Sequence, residues 1–335
     1  MNSLLGGRSV PLVAATIVTL ALAIGVLCSG SATASPIETP YRPADVPTVP
    51  GPPQTSHGSA ATYAKHHPNS APPDTNNFNC TPTSAHPRPL IMVHGTDASA
   101  YSDYAGLAPL FAARGYCLFA LNYGGKEGGE SYGNLEISRS ARQFAAFVEQ
   151  VRQATRAPKV DVIGYSQGAT VTRYYINKMG GAQYVHRWIG LASPSYGGVM
   201  YGAVTVAEAI PGAIGKLTDV LDPALIEQMQ GSEFLTELNA GGDTVPGVEY
   251  TTIGSRYDEM IQPSTNVALH GPGATNIVIQ DLCPLDQTGH FNMPYDPFTQ
   301  QLVLNALDPG HAVVPPCQFV PLGTGIPEVI WSAHS

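Results

Sequence analysis

Charge is scarce in this sequence. Of 335 residues only 12% are Asp, Glu, Lys or Arg, acidic residues outnumber basic ones 25 to 16, and no basic run exceeds two residues. A net charge of −9 with no cationic patch argues against nucleic acid as a partner and against strong attraction to anionic lipid headgroups. Any membrane contact must then be apolar. Cysteine is scarce too, with five in all, no C-x-x-C and no Cys/His cluster at metal spacing, so a zinc site is not expected. There is no repeat period. What the chain does have is a 43% apolar composition and enough length for one large core or two modest domains, which reads as globular.

The first residues suggest export. Arg8 precedes an apolar run from Val10 to Leu27, and "ATA" at Ala32 to Ala34 is an A-x-A cleavage signal before Ser35, so residues 1–34 are read as a signal peptide. The run, about 18 residues, is long for such a segment, and an uncleaved anchor is the alternative. Cleavage leaves Cys80, Cys117, Cys283 and Cys317, an even number that favours two disulfides in any of three pairings. Secretion is expected, with cell-envelope association as the alternative. Residues 35–76 are rich in Pro, Ser, Thr and Ala with almost no aliphatic periodicity, and are expected to form a disordered linker.

Beyond Asn79 six short apolar runs alternate with helical patterns: "RPLIMVHG", "YCLFALNYG", "KVDVIGYS", "HRWIGLASP", "GVEYTTIGS" and "TNIVIQDL". Ile137, Ala141, Phe144, Val148 and Val151 recur at helical spacing, and "ATVTRYYINKMG" reads as a helix closed by Gly180 and Gly181. The alternation predicts an α/β domain over 77–335, with a mostly parallel central sheet and helices on both faces. Residues 199–229, apolar yet punctuated by Pro211 and Pro223, are expected to form a helical lid-like insertion or acyl-pocket wall, with ordinary core packing as the alternative.

Two stretches, "GESYG" and "GYSQG", spell G-x-S-x-G, the strand-to-helix turn that presents a nucleophilic serine. Ser166 has "VDVI" before its turn and "ATVTRYYI" after it. Ser131 follows a charged, glycine-rich loop, whose glycines are expected to serve flexibility. Ser166 is therefore the candidate nucleophile, with Gly164 and Gly168 sparing collisions with the neighbouring strand and helix.

A serine hydroxyl needs a base, and the base an orienting acid, in this fold downstream in the order Ser, Asp or Glu, His. Of His270, His290, His311 and His334, only His290 lies in a loop after an apolar strand, and His311 is held in reserve. Asp258 follows "YTTIGS" by two residues and is the candidate acid. Glu259 is its alternative, and a helix N-cap is the plain structural reading of "DEMI". Asp243, in "GGDTVPG", reads as a surface turn. For the developing oxyanion, Gln167 offers the N–H after the nucleophile, and Thr96 in "MVHGT" offers the second beside a close-approaching Gly95.

Taken together, "NFNCTPTSAHPRPLIMVHGT", "GYSQGATVTRYY" and "TTIGSRYDEMIQP" resemble the secreted actinobacterial lipases of the bacterial class 2 lipase family, and more distantly the fungal lipase B type. The likeness covers about Asn77 to Phe319. It implies an α/β-hydrolase fold, no cofactor, and hydrolysis of lipid-type carboxylic esters through an acyl-enzyme. It implies Ser166 as nucleophile, Asp258 as acid, His290 as base, and Thr96 and Gln167 as oxyanion donors. It also implies the pairings Cys80 with Cys117 and Cys283 with Cys317. In this chain "GHF" puts the small Gly289 where relatives often carry a carboxylate. The implied partner is an ester or lipid substrate with transient contact at a lipid interface, and no obligate protein partner. A short-chain esterase or an acyltransferase acting on cell-envelope esters would use the same residues.

Overall fold

Each of the six short apolar runs beyond Asn79 becomes a strand. In a computed structural model that describes residues 44–199 and 221–334, β1 (Val49–Pro50) and β2 (Ser70–Ala71) form a small parallel pair of their own. The main sheet comprises β3 (Leu90–Val93), β4 (Leu118–Leu121), β5 (Val160–Tyr165), β6 (Val185–Leu191), β7 (Glu249–Gly254) and β8 (Thr275–Val278). Their order is β4-β3-β5-β6-β7-β8, and each pairing is parallel. Around them run α1 (His57–His66), α2 (Ala100–Tyr104), α3 (Ala108–Ala112), α4 (Ile137–Thr155), α5 (Gln167–Lys178), α6 (Pro223–Glu227), α7 (Glu233–Asn239), α8 (Ile279–Leu282), α9 (Pro297–Leu307) and α10 (Ile326–His334). The fold is that of an α/β hydrolase.

A parallel strand covered on both faces can be apolar throughout, and its successive side chains enter opposite cores. In β3, Leu90 and Met92 join the core that α2, α3 and α9 close with Tyr104, Phe111 and Leu302. Ile91 and Val93 join the other, closed by Phe144 and Val148 of α4 and Tyr175 of α5. All five periodic positions of α4 are buried. Disulfides Cys80–Cys117 and Cys283–Cys317 span Cα separations of 5.8 and 5.2 Å. The first ties the segment before β3 to β4, and the second straps the C-terminal stretch to the loop after β8.

The linker expected over 35–76 is corrected from residue 44 onward. There the chain folds into β1, α1 and β2, and it clusters with the rest of the hydrolase as one unit, Thr39–Ser335. Helix α1 is capped by the Ser56 hydroxyl, which accepts from the Ser59 N–H. It buries Ala60 against Tyr101, Ala105 and Tyr295, and Tyr63 packs on Tyr101 with ring centroids 5.1 Å apart. Small and aromatic side chains do the packing that aliphatic periodicity would have announced. The expected signal peptide, residues 1–34, and most of the insertion expected over 199–229 lie outside the described residues. Where the chain resumes, the Asp222 carboxylate meets Lys126 and accepts from Asn134 Nδ2 at 2.8 Å, so α6 is held beside the loop before α4.

Candidate active site

The turn between β5 and α5 holds Ser166 at φ 52°, ψ −122°, a conformation that L-residues avoid and surrounding structure must enforce. The enforcement is steric. A Cβ on Gly168 would lie 2.0 Å from the Val93 carbonyl oxygen, and one on Gly164 2.5 Å from the Ala169 Cα, so strand and helix approach as only glycine permits. Ser131 has no such setting; its hydroxyl donates to the Asp97 carboxylate. Nor do all its neighbouring glycines serve flexibility as expected. A Cβ on Gly133 would lie 2.6 Å from the Gly95 carbonyl oxygen, so this glycine lets the loop close on the turn after β3.

Ser166, His290 and Asp258 come from the ends of three different strands and meet in a line. His290 Nε2 is 3.1 Å from Ser166 Oγ, while Nδ1 is 2.9 and 3.1 Å from the two oxygens of Asp258. A ring nitrogen facing a carboxylate carries the hydrogen, which leaves Nε2 able to accept a hydrogen bond from the Ser166 hydroxyl. Asp258 is fully buried, and its Oδ1 also accepts from the N–H groups of Met260 at 2.8 Å and Ile261 at 2.7 Å. No helix begins there, so these bonds fix a carboxylate rather than cap a helix. Burial pulls the His290 pKa down, but the charge and hydrogen bond of Asp258, with the charges of Glu259 and Asp103, outweigh it and leave the imidazole above its ordinary value.

Glu259 takes a place of its own. Its Oε2 accepts the His290 main-chain N–H, and its Oε1 would lie 1.9 Å from a Cβ on Gly289. A buried carboxylate from the loop of Asp258 thus enters the space that Gly289 leaves open beside the histidine. Burial, foremost, raises the Glu259 pKa. Two further braces hold this loop. Tyr165, next to Ser166 in the chain, donates its hydroxyl to the His290 carbonyl at 2.9 Å. Buried Gln280 accepts from the Arg256 N–H and donates to Ser255 Oγ and the Asp286 carbonyl, joining the loop of Asp258 to that of His290.

Across Ser166, Gln167 and Thr96 are adjacent. The fully buried Gln167 amide donates to Thr96 Oγ1 and to the Gly133 carbonyl, each at 2.9 Å, and accepts from Tyr123 Oη at 3.0 Å. Among the described residues, no protein group accepts from the main-chain N–H of Thr96 or of Gln167. His94, in the same turn, is buried and its pKa is pulled down to about 4 by that burial, so the ring is neutral. With Nε2 accepting from the Tyr123 N–H, Nδ1 donates to the Gly95 carbonyl at 2.8 Å. Because a trans peptide is planar, fixing the Gly95 carbonyl also fixes the Thr96 N–H on its other side.

The remaining candidates fall elsewhere. Asp243, expected in a surface turn, is buried and accepts from the N–H groups of His270 and Gly271 and from Tyr196 Oη. Burial alone would raise its pKa, but those donors and the Arg173 charge bring it below the ordinary carboxylate value. It is a loop tie. His311 is exposed and pairs with Asp308. A cavity of about 690 Å³ opens between α1 and α10, lined by Tyr63, His66 and Trp331, but none of Ser166, Asp258 and His290 borders it. Among the described residues no group of three or more His, Cys, Asp or Glu side chains gathers as metal ligands would.

Comparison with known proteins gives the same frame. The family model described as lipase (class 2) matches residues 87–303, well over half of the chain. Aspergillus fumigatus lipase B superposes with a TM-score of 0.56 at 21% identity, covering 75% of this chain and 62% of that one. This chain therefore spans less than two thirds of that enzyme's length. The mature form of Bacillus licheniformis lipase BlEst2 superposes with a TM-score of 0.51 at 18% identity, covering 68% of this chain and 94% of that one. At such identities the two structures speak for the fold.

Proposed function

Since this chain belongs to the class 2 lipase family, we propose that it is a carboxylic ester hydrolase, and more closely a secreted lipase that cleaves acyl esters of glycerol through an acyl-enzyme on Ser166. His290 takes the Ser166 proton as the oxygen attacks the ester carbonyl. Asp258 holds the imidazole in the required tautomer and balances the charge it gains. The N–H groups of Thr96 and Gln167 receive the developing oxyanion. His290 then returns the proton to the departing alcohol, and a water molecule, activated by the same base, releases the acid. The observation that carries this reading is the line Ser166 Oγ, His290 Nε2 and Nδ1, Asp258, with contacts of 3.1 and 2.9 Å, on a serine held at positive φ.

Two features favour a lipid-type substrate over a small polar ester. Leu282, Leu285, Phe319 and Leu322 are each more than half exposed. They flank the strapped loop where Val320 donates to the Leu285 carbonyl and Leu322 to the Gln287 side chain, a few residues before His290. From Tyr257 to the end of the chain there is no Lys or Arg, so the patch suits an uncharged ester surface. Secretion draws support from the two disulfides, and among the described residues no helix is long and apolar enough to cross a membrane.

The test is hydrolysis of p-nitrophenyl esters from acetate to palmitate and of a triacylglycerol emulsion, with Ser166→Ala and Ser131→Ala. The lipase reading expects long-chain and emulsion activity that Ser166→Ala abolishes and Ser131→Ala leaves largely intact. Activity confined to short chains makes the protein an esterase, and transfer to alcohols exceeding hydrolysis makes it an acyltransferase. Equal losses in the two variants overturn the assignment of the nucleophile.

A further inference from the structure

One buried carboxylate near the nucleophile has no part in the proton relay. Asp103, on α2, is fully buried, and burying a carboxylate costs several kcal/mol unless donors replace its water. Its donors come from two directions. Oδ2 accepts the Gly95 main-chain N–H at 2.7 Å, and Oδ1 faces His57 Nε2 at 3.0 Å, with Ser102 Oγ at 3.3 Å.

Gly95 abuts the nucleophile, since a Cβ there would lie 3.2 Å from Ser166 Cβ. Asp103 sets the peptide plane before Gly95, and His94 sets the one after it through the Gly95 carbonyl. Between them they orient the Thr96 N–H. Asp103 can do so only while its own carboxylate keeps one rotation, and His57 holds its other oxygen.

His57 does not come from the span that the family shares. It lies in α1, 30 residues before the matched region begins at 87. That helix is firmly seated: Gly58 packs against Glu328 of α10 as only glycine can, and Lys65 donates to the Ser332 carbonyl. The His57 ring lies 5.9 Å from Phe291, which lies 5.5 Å from His290.

We propose that His57 is a positioning residue of the ester-hydrolysing site, supplied by the N-terminal segment, which locks Asp103 onto the Gly95 N–H and so keeps the Gly95–Thr96 turn set for the oxyanion. The proposal rests on Ser166 and the Thr96 N–H having the roles given above. Without the His57 donor, Asp103 is free to rotate or to admit water, and the turn loosens. The transition state needs that turn and acyl-chain binding does not, so kcat falls while KM holds.

The experiment compares His57→Ala, His57→Phe and His57→Gln on one soluble p-nitrophenyl ester, with thermal melts of each and Ser166→Ala alongside. A donor removed at one remove from the oxyanion is expected to cost about tenfold in kcat for His57→Ala and His57→Phe. His57→Gln, whose amide reaches the same carboxylate oxygen, is expected to recover most of the rate. The proposal is overturned if His57→Phe turns over like the wild type, if glutamine is as slow as phenylalanine, or if the loss lies in KM. Where His57→Ala unfolds, the phenylalanine and glutamine pair still decides. Residual activity in Ser166→Ala would instead sink the underlying assignment, so the two failures are distinguishable.

Discussion

Replacing Gln167 by alanine separates two things that one residue does. The main-chain N–H remains in either variant, but the side chain loses its bonds to Thr96 Oγ1, the Gly133 carbonyl and Tyr123 Oη. Tyr123 keeps a partner in the His94 carbonyl at 2.7 Å, whereas the buried Gly133 carbonyl loses its side-chain donor. With roughly 0.5–1.5 kcal/mol per net hydrogen bond and the added penalty for unpaired groups, the expected destabilisation is about 2–4 kcal/mol. For a domain of this size that lowers Tm by about 5–10 °C. If the proposed roles hold, Thr96 is no longer clamped beside Ser166, and kcat is expected to fall by about 10- to 100-fold with KM little changed. Gln167→Glu should be slower still, since it sets a carboxylate oxygen against the Gly133 carbonyl. Thermal melts and steady-state kinetics on a soluble ester check both numbers. A Gln167→Ala protein that melts within a degree of the wild type and keeps kcat within twofold would refute the view that this amide holds the oxyanion turn.

Gly289→Ala sets a Cβ 1.9 Å from Glu259 Oε1, so it is expected to cost about 1–3 kcal/mol and to displace the His290 loop. Glu259→Ala in the same chain should return part of that stability, and additive losses in denaturant unfolding would show that the two do not share the space. For pH, a protonated His290 cannot accept the serine proton, so activity is lost as pH falls through the His290 pKa. That pKa is raised, which puts the acid limb of kcat/KM above the ordinary imidazole value of 6.5, and a midpoint below 6.5 counts against the environment described. His94, at about 4, stays neutral throughout this range.

What the sequence determined by itself is what local pattern encodes. Six short apolar runs alternating with helical patterns pointed to the strands of a parallel sheet, and a 4-3-4-3 spacing from Ile137 to Val151 could face a core only as a helix. Glycine on both sides of a serine between a strand and a helix marked the turn at Ser166, and candidates past strand ends led to Asp258 and His290, which do lie within reach of it. Tertiary structure decided what depends on chain segments meeting. Asp243 read as a surface turn because its donors, Tyr196, His270 and Gly271, lie 27 residues or more away. Residues 44–76 read as disordered because their few apolar side chains pack on distant parts of the chain, Ala60 and Tyr63 with Tyr101 and Tyr295 and Val46 on the main core, rather than forming a periodic face of their own. Glu259 filling the space at Gly289, and His57 reaching Asp103 across 46 residues, left no trace in local spacing. Periodicity reports which face of an element avoids water, whereas a hydrogen bond between distant segments requires a distance and a direction that only the folded chain provides.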